Sequence, residues 1–183
     1  MASSDAGHLA RRARAAYERG RGRRAVVQAA PLVLLPASFA FWCAPPALAA
    51  AAALGLFLGA TAFLWRGEGY GRAVLPGVLA GAPTLALPML VRAGLGHVCH
   101  PGTCWNVCVA GCVAAGITAG LVLWWLAPRS GADRTRFLVA GTALAAATAL
   151  PACSFAGLIG MGALVLGLVA AAAPALARPA LRH

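Results

Sequence analysis

The chain has 183 residues, of which 61% are hydrophobic and 10% charged, with 15 basic and 4 acidic side chains and a formal net charge of +11; its mean hydropathy is +0.80. Soluble domains average about 45–50% apolar and roughly 25% charged residues, so these values exclude an ordinary water-soluble domain, and they exclude disorder beyond the first two dozen residues. An integral membrane protein remains, in which basic residues mark orientation at the cytoplasmic face as well as they would mark a nucleic-acid ligand.

Residues 1–24 are polar and carry seven arginines, Arg11, Arg12, Arg14, Arg19, Arg21, Arg23 and Arg24, among Leu9, several alanines and Tyr17. This pattern predicts a short basic cytoplasmic helix drawn to anionic lipid or to a cytosolic protein. No base-reading motif accompanies the charge, so nucleic acid is not an expected partner. A polar stretch this long is also unlike the n-region of a signal peptide.

A hydrocarbon core about 30 Å thick needs roughly 20 apolar residues at about 1.5 Å rise each. Six runs follow. They are Ala25 to Cys43, Ala47 to Trp65, Ala73 to Leu95, Cys104 to Ala127, Phe137 to Leu150 and Phe155 to Ala173. Ala44-Pro45-Pro46, the polar segment Arg66 to Arg72, the loop Gly96 to Thr103 and the segment Pro128 to Arg136 separate the first five. The last two runs are divided at Pro151, where a tight turn is expected; this leaves the fifth span short, to be accommodated by thinning or as a re-entrant hairpin. Pro76, Pro83 and Pro88 should bend the third helix.

The expected fold is therefore all-α: a polytopic membrane protein with a basic segment at 1–24, a six-helix transmembrane domain at 25–173 and a tail at 174–183. With the N-terminus inside, the seven N-terminal arginines, Arg66, Arg72, Arg129, Arg134, Arg136, Arg178 and Arg182 all fall on the inner side. Only Arg92 does not. Basic short loops resist translocation, so this distribution predicts N-in, C-in topology in a bacterial inner membrane. Arg92 itself can snorkel from a helix end. Tryptophan favours the membrane boundary, and Trp42, Trp65, Trp105, Trp124 and Trp125 all fall near predicted helix ends.

That topology gathers all six cysteines in the outer half. Cys43 ends the first helix, Cys99 lies in the loop after the third, and Cys153 sits between the fifth and sixth. Cys104, Cys108 and Cys112 follow one another along one face of the fourth at i, i+4 and i+8. An oxidising compartment would let them form disulfides. With His97 and His100, Cys99 and Cys104 also make a donor set suited to Zn, Cd, Cu(I) or Hg. Apolar packing is the plain use of Cys108 and Cys112. On the fourth helix, Gly116-Ile-Thr-Ala-Gly120 offers a close helix approach, within the chain or between copies.

No phosphate loop, nucleophile elbow, His-Glu-x-x-His or paired-carboxylate pattern occurs, so an enzyme is not expected. The predicted spans hold no acidic residue, which counts against an ion-coupled carrier.

The C-terminal half resembles the membrane anti-sigma factors of the negative-regulator-of-sigma-F type. The elements that carry the likeness are Cys104 at the outer start of the fourth helix, the basic inner segment Pro128-Arg129-Ser130-Gly131-Ala132-Asp133-Arg134, the small-residue stretch Gly141 to Leu150 and the outer Cys153. The resemblance implies that Cys104 and Cys153 sense metal or oxidative stress and that the cytoplasmic face, including Arg129, Arg134 and Arg136, holds a sigma factor. Cys99, Cys108, Cys112 and the basic N-terminus depart from that pattern. The expectation is a membrane regulator; a metal-handling carrier with a cysteine track, or a disulfide-stapled structural protein, are the alternatives.

Overall fold

The computed structural model describes the backbone of residues 2–43, 45–95, 103–130, 133–153 and 157–177, and side chains within 8–41, 45–67, 69–85, 109–129, 133–151 and 159–171. Among the described residues the protein is entirely helical: α1 (Ala2–Cys43), α2 (Pro46–Arg66), α3 (Glu68–Arg72), α4 (Val74–Leu95), α5 (Thr103–Leu126), the 3-10 turn Ala127–Ser130, α6 (Arg134–Cys153) and α7 (Gly157–Ala177). Three stretches are long and apolar enough to cross a membrane, His8–Phe41, Pro46–Arg66 and Val109–Arg129; Ile159–Ala171 is a shorter apolar helix.

Three local features differ from the sequence expectation. First, the basic segment is not a separate short helix: α1 runs unbroken for 42 residues, through Pro31 and Pro36. Its alanines, arginines and leucines are strong helix formers, so the polar stretch has no reason to break at residue 24. Second, the helix that holds the short fifth apolar span extends beyond it at both ends, Arg134–Cys153. The Asp133 carboxylate accepts the backbone N–H groups of Thr135 at 3.0 Å and Arg136 at 3.3 Å, the geometry of an N-cap. This starts α6 at Arg134, and Pro151 falls inside its last turn rather than beyond it. Third, the polar segment after α2 folds into the short helix α3, entered through Gly67 at φ +67°.

Where the sequence places a proline turn, the structure has one. Pro46 occupies the first turn of α2, where its missing N–H has no intrahelical partner to lose. The Pro45 carbonyl accepts from Ala49 N at 2.9 Å.

The helices pack as three pairs. In the first, α1 and α2 run antiparallel: Glu18 meets Trp65 at one end, while Ala37 and Ala40 line the same crevice as Ala52 and Ala53 at the other. The second pair is parallel. A Cβ on Gly77 would lie 2.8 Å from the Gly141 carbonyl oxygen, and one on Gly81 would lie 2.6 Å from that of Ala145, so α4 and α6 approach backbone to backbone in one constant register. In the third, Gly116 and Gly120 of α5 abut Leu164, Leu168 and Ala171 of α7, and Gly167 abuts Val113 and Ile117. Such seams suit association in lipid, where close van der Waals contact replaces the hydrophobic drive.

Leu144, buried with Ala29, Val33, Leu56, Ala60, Val74 and Val78, locks the first pair onto the second. Leu123, Phe137, Leu138 and Leu168, with Ala73 and Ala127, lock the second onto the third. The two fully buried threonines are satisfied locally, Thr84 donating to the Gly81 carbonyl at 2.6 Å and Thr148 to that of Leu144 at 2.8 Å, whereas the enclosed Thr61 hydroxyl has no hydrogen-bond partner among the described residues.

Candidate functional site

The packing gathers the arginines of four chain segments at one end of the bundle. Near the end of α2, Arg21 of α1 donates to the Arg66 carbonyl at 2.7 Å, and Trp65 Nε1 donates to Glu18 at 3.2 Å. These two bonds fasten the basic segment to the α2–α3 junction. That junction in turn meets the start of α6, because a Cβ on Gly69 would lie 3.3 Å from Asp133 backbone and from Arg136 Cβ. Tyr70 stacks on Phe63 at 5.8 Å, nearly parallel, and the Arg136 guanidinium lies 5.9 Å from the Tyr70 ring centre.

The three arginines expected to contact a partner sit in this assembly. Arg129 lies over the Trp125 ring at 3.8 Å and donates to the Trp125 carbonyl at 2.7 Å. It closes the C-terminus of α5, where a cation complements the helix dipole. Arg136 approaches Asp133 at 3.6 Å in an exposed i, i+3 pair, a geometry that contributes little to stability. Arg134 is half-buried, with its Nε enclosed and without a hydrogen-bond partner among the described residues. Sequence reasoning singled out this trio, read Arg21 within a basic segment drawn to lipid or to a cytosolic protein, and used Arg66 and Arg72 only for orientation. Their convergence is visible only once α1, α2, α3 and α6 are packed together.

Three cysteine positions belong to the other end. Cys43 and Cys153 are the last residues of α1 and α6, and Cys104 is the second residue of α5. Helix α1 runs parallel to α6, as Val33 packs with Leu144 and Ala37 lines a crevice with Ala147. Helix α5 runs against α6, with Leu123 beside Gly141 and Cys112 beside Ala149. These three backbone positions therefore share the bundle end opposite the arginines. The side chains of Cys43, Cys104, Cys108 and Cys153, and the whole of His97, Cys99 and His100, lie outside the described residues.

Cys112 is described. It is half-buried and, like Met161, packs against the cluster of Ala149 and Leu164, where α5, α6 and α7 meet. One turn on, Gly116 continues the same face against the α7 backbone. Cys112 thus lies on the α7-facing seam of α5, and Gly116 to Gly120 seals intramolecularly. Among the described residues no three His, Cys, Asp or Glu side chains converge as a metal site.

The sequence matches no protein-family model, and no match is found among curated proteins or solved structures.

Proposed function

We propose that the chain is a six-span inner-membrane regulator with both termini in the cytoplasm, whose outer thiols respond to redox state or a soft metal and whose inner arginine end engages an acidic surface on a regulatory protein. An anti-sigma arrangement, with a sigma factor as that protein, is the form in which the C-terminal resemblance would apply. The observation that carries the reading is the segregation of the two chemistries to opposite ends of one packed bundle. The arginines of α1, α2, α3 and α6 meet at one end, and the ends of α1, α5 and α6 that bear Cys43, Cys104 and Cys153 share the other. Short basic segments stay on the cytoplasmic side, which gives the bundle its orientation.

Helix α5 supplies the connection. It carries Cys104, Cys108 and Cys112 in its first half and ends at the Trp125–Arg129 contact. Oxidation or metalation of the thiols would alter the packing of its outer half on α7, and a close-packed helix passes such a shift along its length. The same close packing supports a regulator over a carrier, since Gly116, one turn beyond Cys112, abuts the α7 backbone.

The test replaces Cys104 and Cys153 with Ser in cells exposed to an oxidant or to Zn, Cd, Cu or Hg salts. Loss of an inducible transcriptional response with unchanged metal uptake is the expected result. Loss of uptake would transfer the thiols to a carrier, and an unchanged response together with unchanged uptake would leave them as structural.

A further inference from the structure

The seams α4–α6 and α5–α7 are sealed by facing small residues, but the α4–α5 seam is not. Gly77 and Gly81 turn toward α6, and Gly116 and Gly120 turn toward α7. Between α4 and α5 lies an open cleft of about 300 Å³. Ala80 and the buried Ala119 form its floor, and the exposed Leu75, Leu79 and Val122 stand at its rim. Its one hydroxyl, Thr118, already donates to the Ala114 carbonyl at 2.8 Å, so the walls ask for an apolar occupant. From Leu75 to Pro83 the cleft follows α4 for roughly 12 Å at about 1.5 Å per residue, which is less than half of a hydrocarbon core about 30 Å thick. It therefore lies within one leaflet.

That leaflet is the one at the arginine end. Leu75 stands one turn from Arg72, and Leu126 lies three residues before Arg129; Ala73 and Ala127 pack in one cluster, which brings the two helix ends together. Both arginines are exposed. An apolar slot whose two flanking helix ends each carry an exposed arginine matches an amphiphile with an anionic head.

We propose that the α4–α5 cleft binds an anionic phospholipid, with one acyl chain along Ala80 and Ala119 and the phosphate at Arg72 and Arg129. The guanidinium fork suits phosphate oxygens, and basic pockets between helices on the cytoplasmic side are typical sites for acidic headgroups. The proposal rests on the membrane-spanning reading and is independent of thiol sensing. Its regulatory consequence is that the arginine end would exchange lipid headgroups for an acidic protein surface.

The test uses the full chain purified in detergent, with retained lipid counted by native mass spectrometry after addition of equal dioleoyl-phosphatidylglycerol and dioleoyl-phosphatidylcholine. Preferential retention of phosphatidylglycerol is expected. Arg72→Gln with Arg129→Gln should lower it roughly thirtyfold, taking about 1 kcal/mol for each of the two basic residues near an anionic surface. Ala119→Phe should abolish retention by filling the floor, while Gly162→Phe, whose Cβ meets nothing within 4 Å, should leave it intact. Arg72→Lys with Arg129→Lys should restore part of the preference. Equal retention of both lipids, or retention indifferent to the arginine pair and to Ala119→Phe, overturns the proposal. So does a dimer that Ala119→Phe dissociates, because the occupant is then a second copy of the chain. Recovery of the chain from cells without detergent would instead overturn the membrane-spanning reading.

Discussion

Trp65 Nε1 donates to Oε2 of Glu18 at 3.2 Å, joining residues 47 positions apart. Glu18 thereby fixes the part of α1 that carries the arginine cluster against the end of α2. Glu18→Ala should raise amide hydrogen exchange across residues 18–24 while leaving the core of α1 unchanged. Glu18→Gln retains an acceptor and should exchange like the parent. The contact is exposed, so the global cost should be about 1 kcal/mol or less. Identical exchange in the Ala variant would show that α1 holds its own position.

The backbone seams are far less tolerant. A side chain at Gly81 would press within 2.6 Å of the Ala145 carbonyl oxygen and 2.8 Å of Thr148 Cβ, and neither is the mobile tip of a long side chain. Gly81→Val should destabilise the bundle by about 1–3 kcal/mol through overpacking, read as an earlier midpoint in denaturing-detergent titration. Gly162→Ala faces open space and should be neutral or stabilising by up to about 1 kcal/mol through its better helix propensity. Equal effects of the two changes would remove the seam from the account of stability.

Gly67 combines a positive φ of 67° with the guanidinium of Arg21 alongside it. Gly67→Ala puts an alanine at φ +67°, ψ −141°, close to a region essentially reserved for glycine, at about 1–3 kcal/mol, and displaces Arg21 from the Arg66 carbonyl. Thermal unfolding in detergent measures the first effect. Increased proteolysis between α1 and α3 would report the second.

Asp133 caps α6 through the Thr135 and Arg136 amides. Asp133→Ala should cost about 1 kcal/mol, within the usual 0.5–2 kcal/mol for a lost cap, and Asp133→Asn much less. If Asn is as costly as Ala, the contribution lies in the charge facing Arg136 rather than in the cap.

The orientation is tested on the thiols. A variant retaining Cys99 alone should react with a membrane-impermeant maleimide in intact cells. Reaction only after permeabilisation would invert the topology.

Most helix positions were legible because each long apolar run is interrupted by proline, glycine or charge. What escaped was local. The continuity of α1 depends on helix propensity in a polar stretch, where there is no apolar period to follow. The start of α6 at Arg134 depends on one aspartate cap. Gly116 and Gly120 stood out as a small-residue step; Gly77 and Gly81 have the same spacing but sit among prolines that drew the reading toward bending. The arginine end was legible as a charge count and not as a place, since Arg21 reaches Arg66 only through the antiparallel packing of α1 on α2.

The constant register of α4 on α6 and of α5 on α7 makes the last four long helices two hairpins stacked face to face. Each hairpin bears a strip of bare backbone that only the other covers. Until α6 and α7 are present, the glycine strips of α4 and α5 therefore lack the backbone that covers them, and a chain truncated after Leu126 would leave both strips bare.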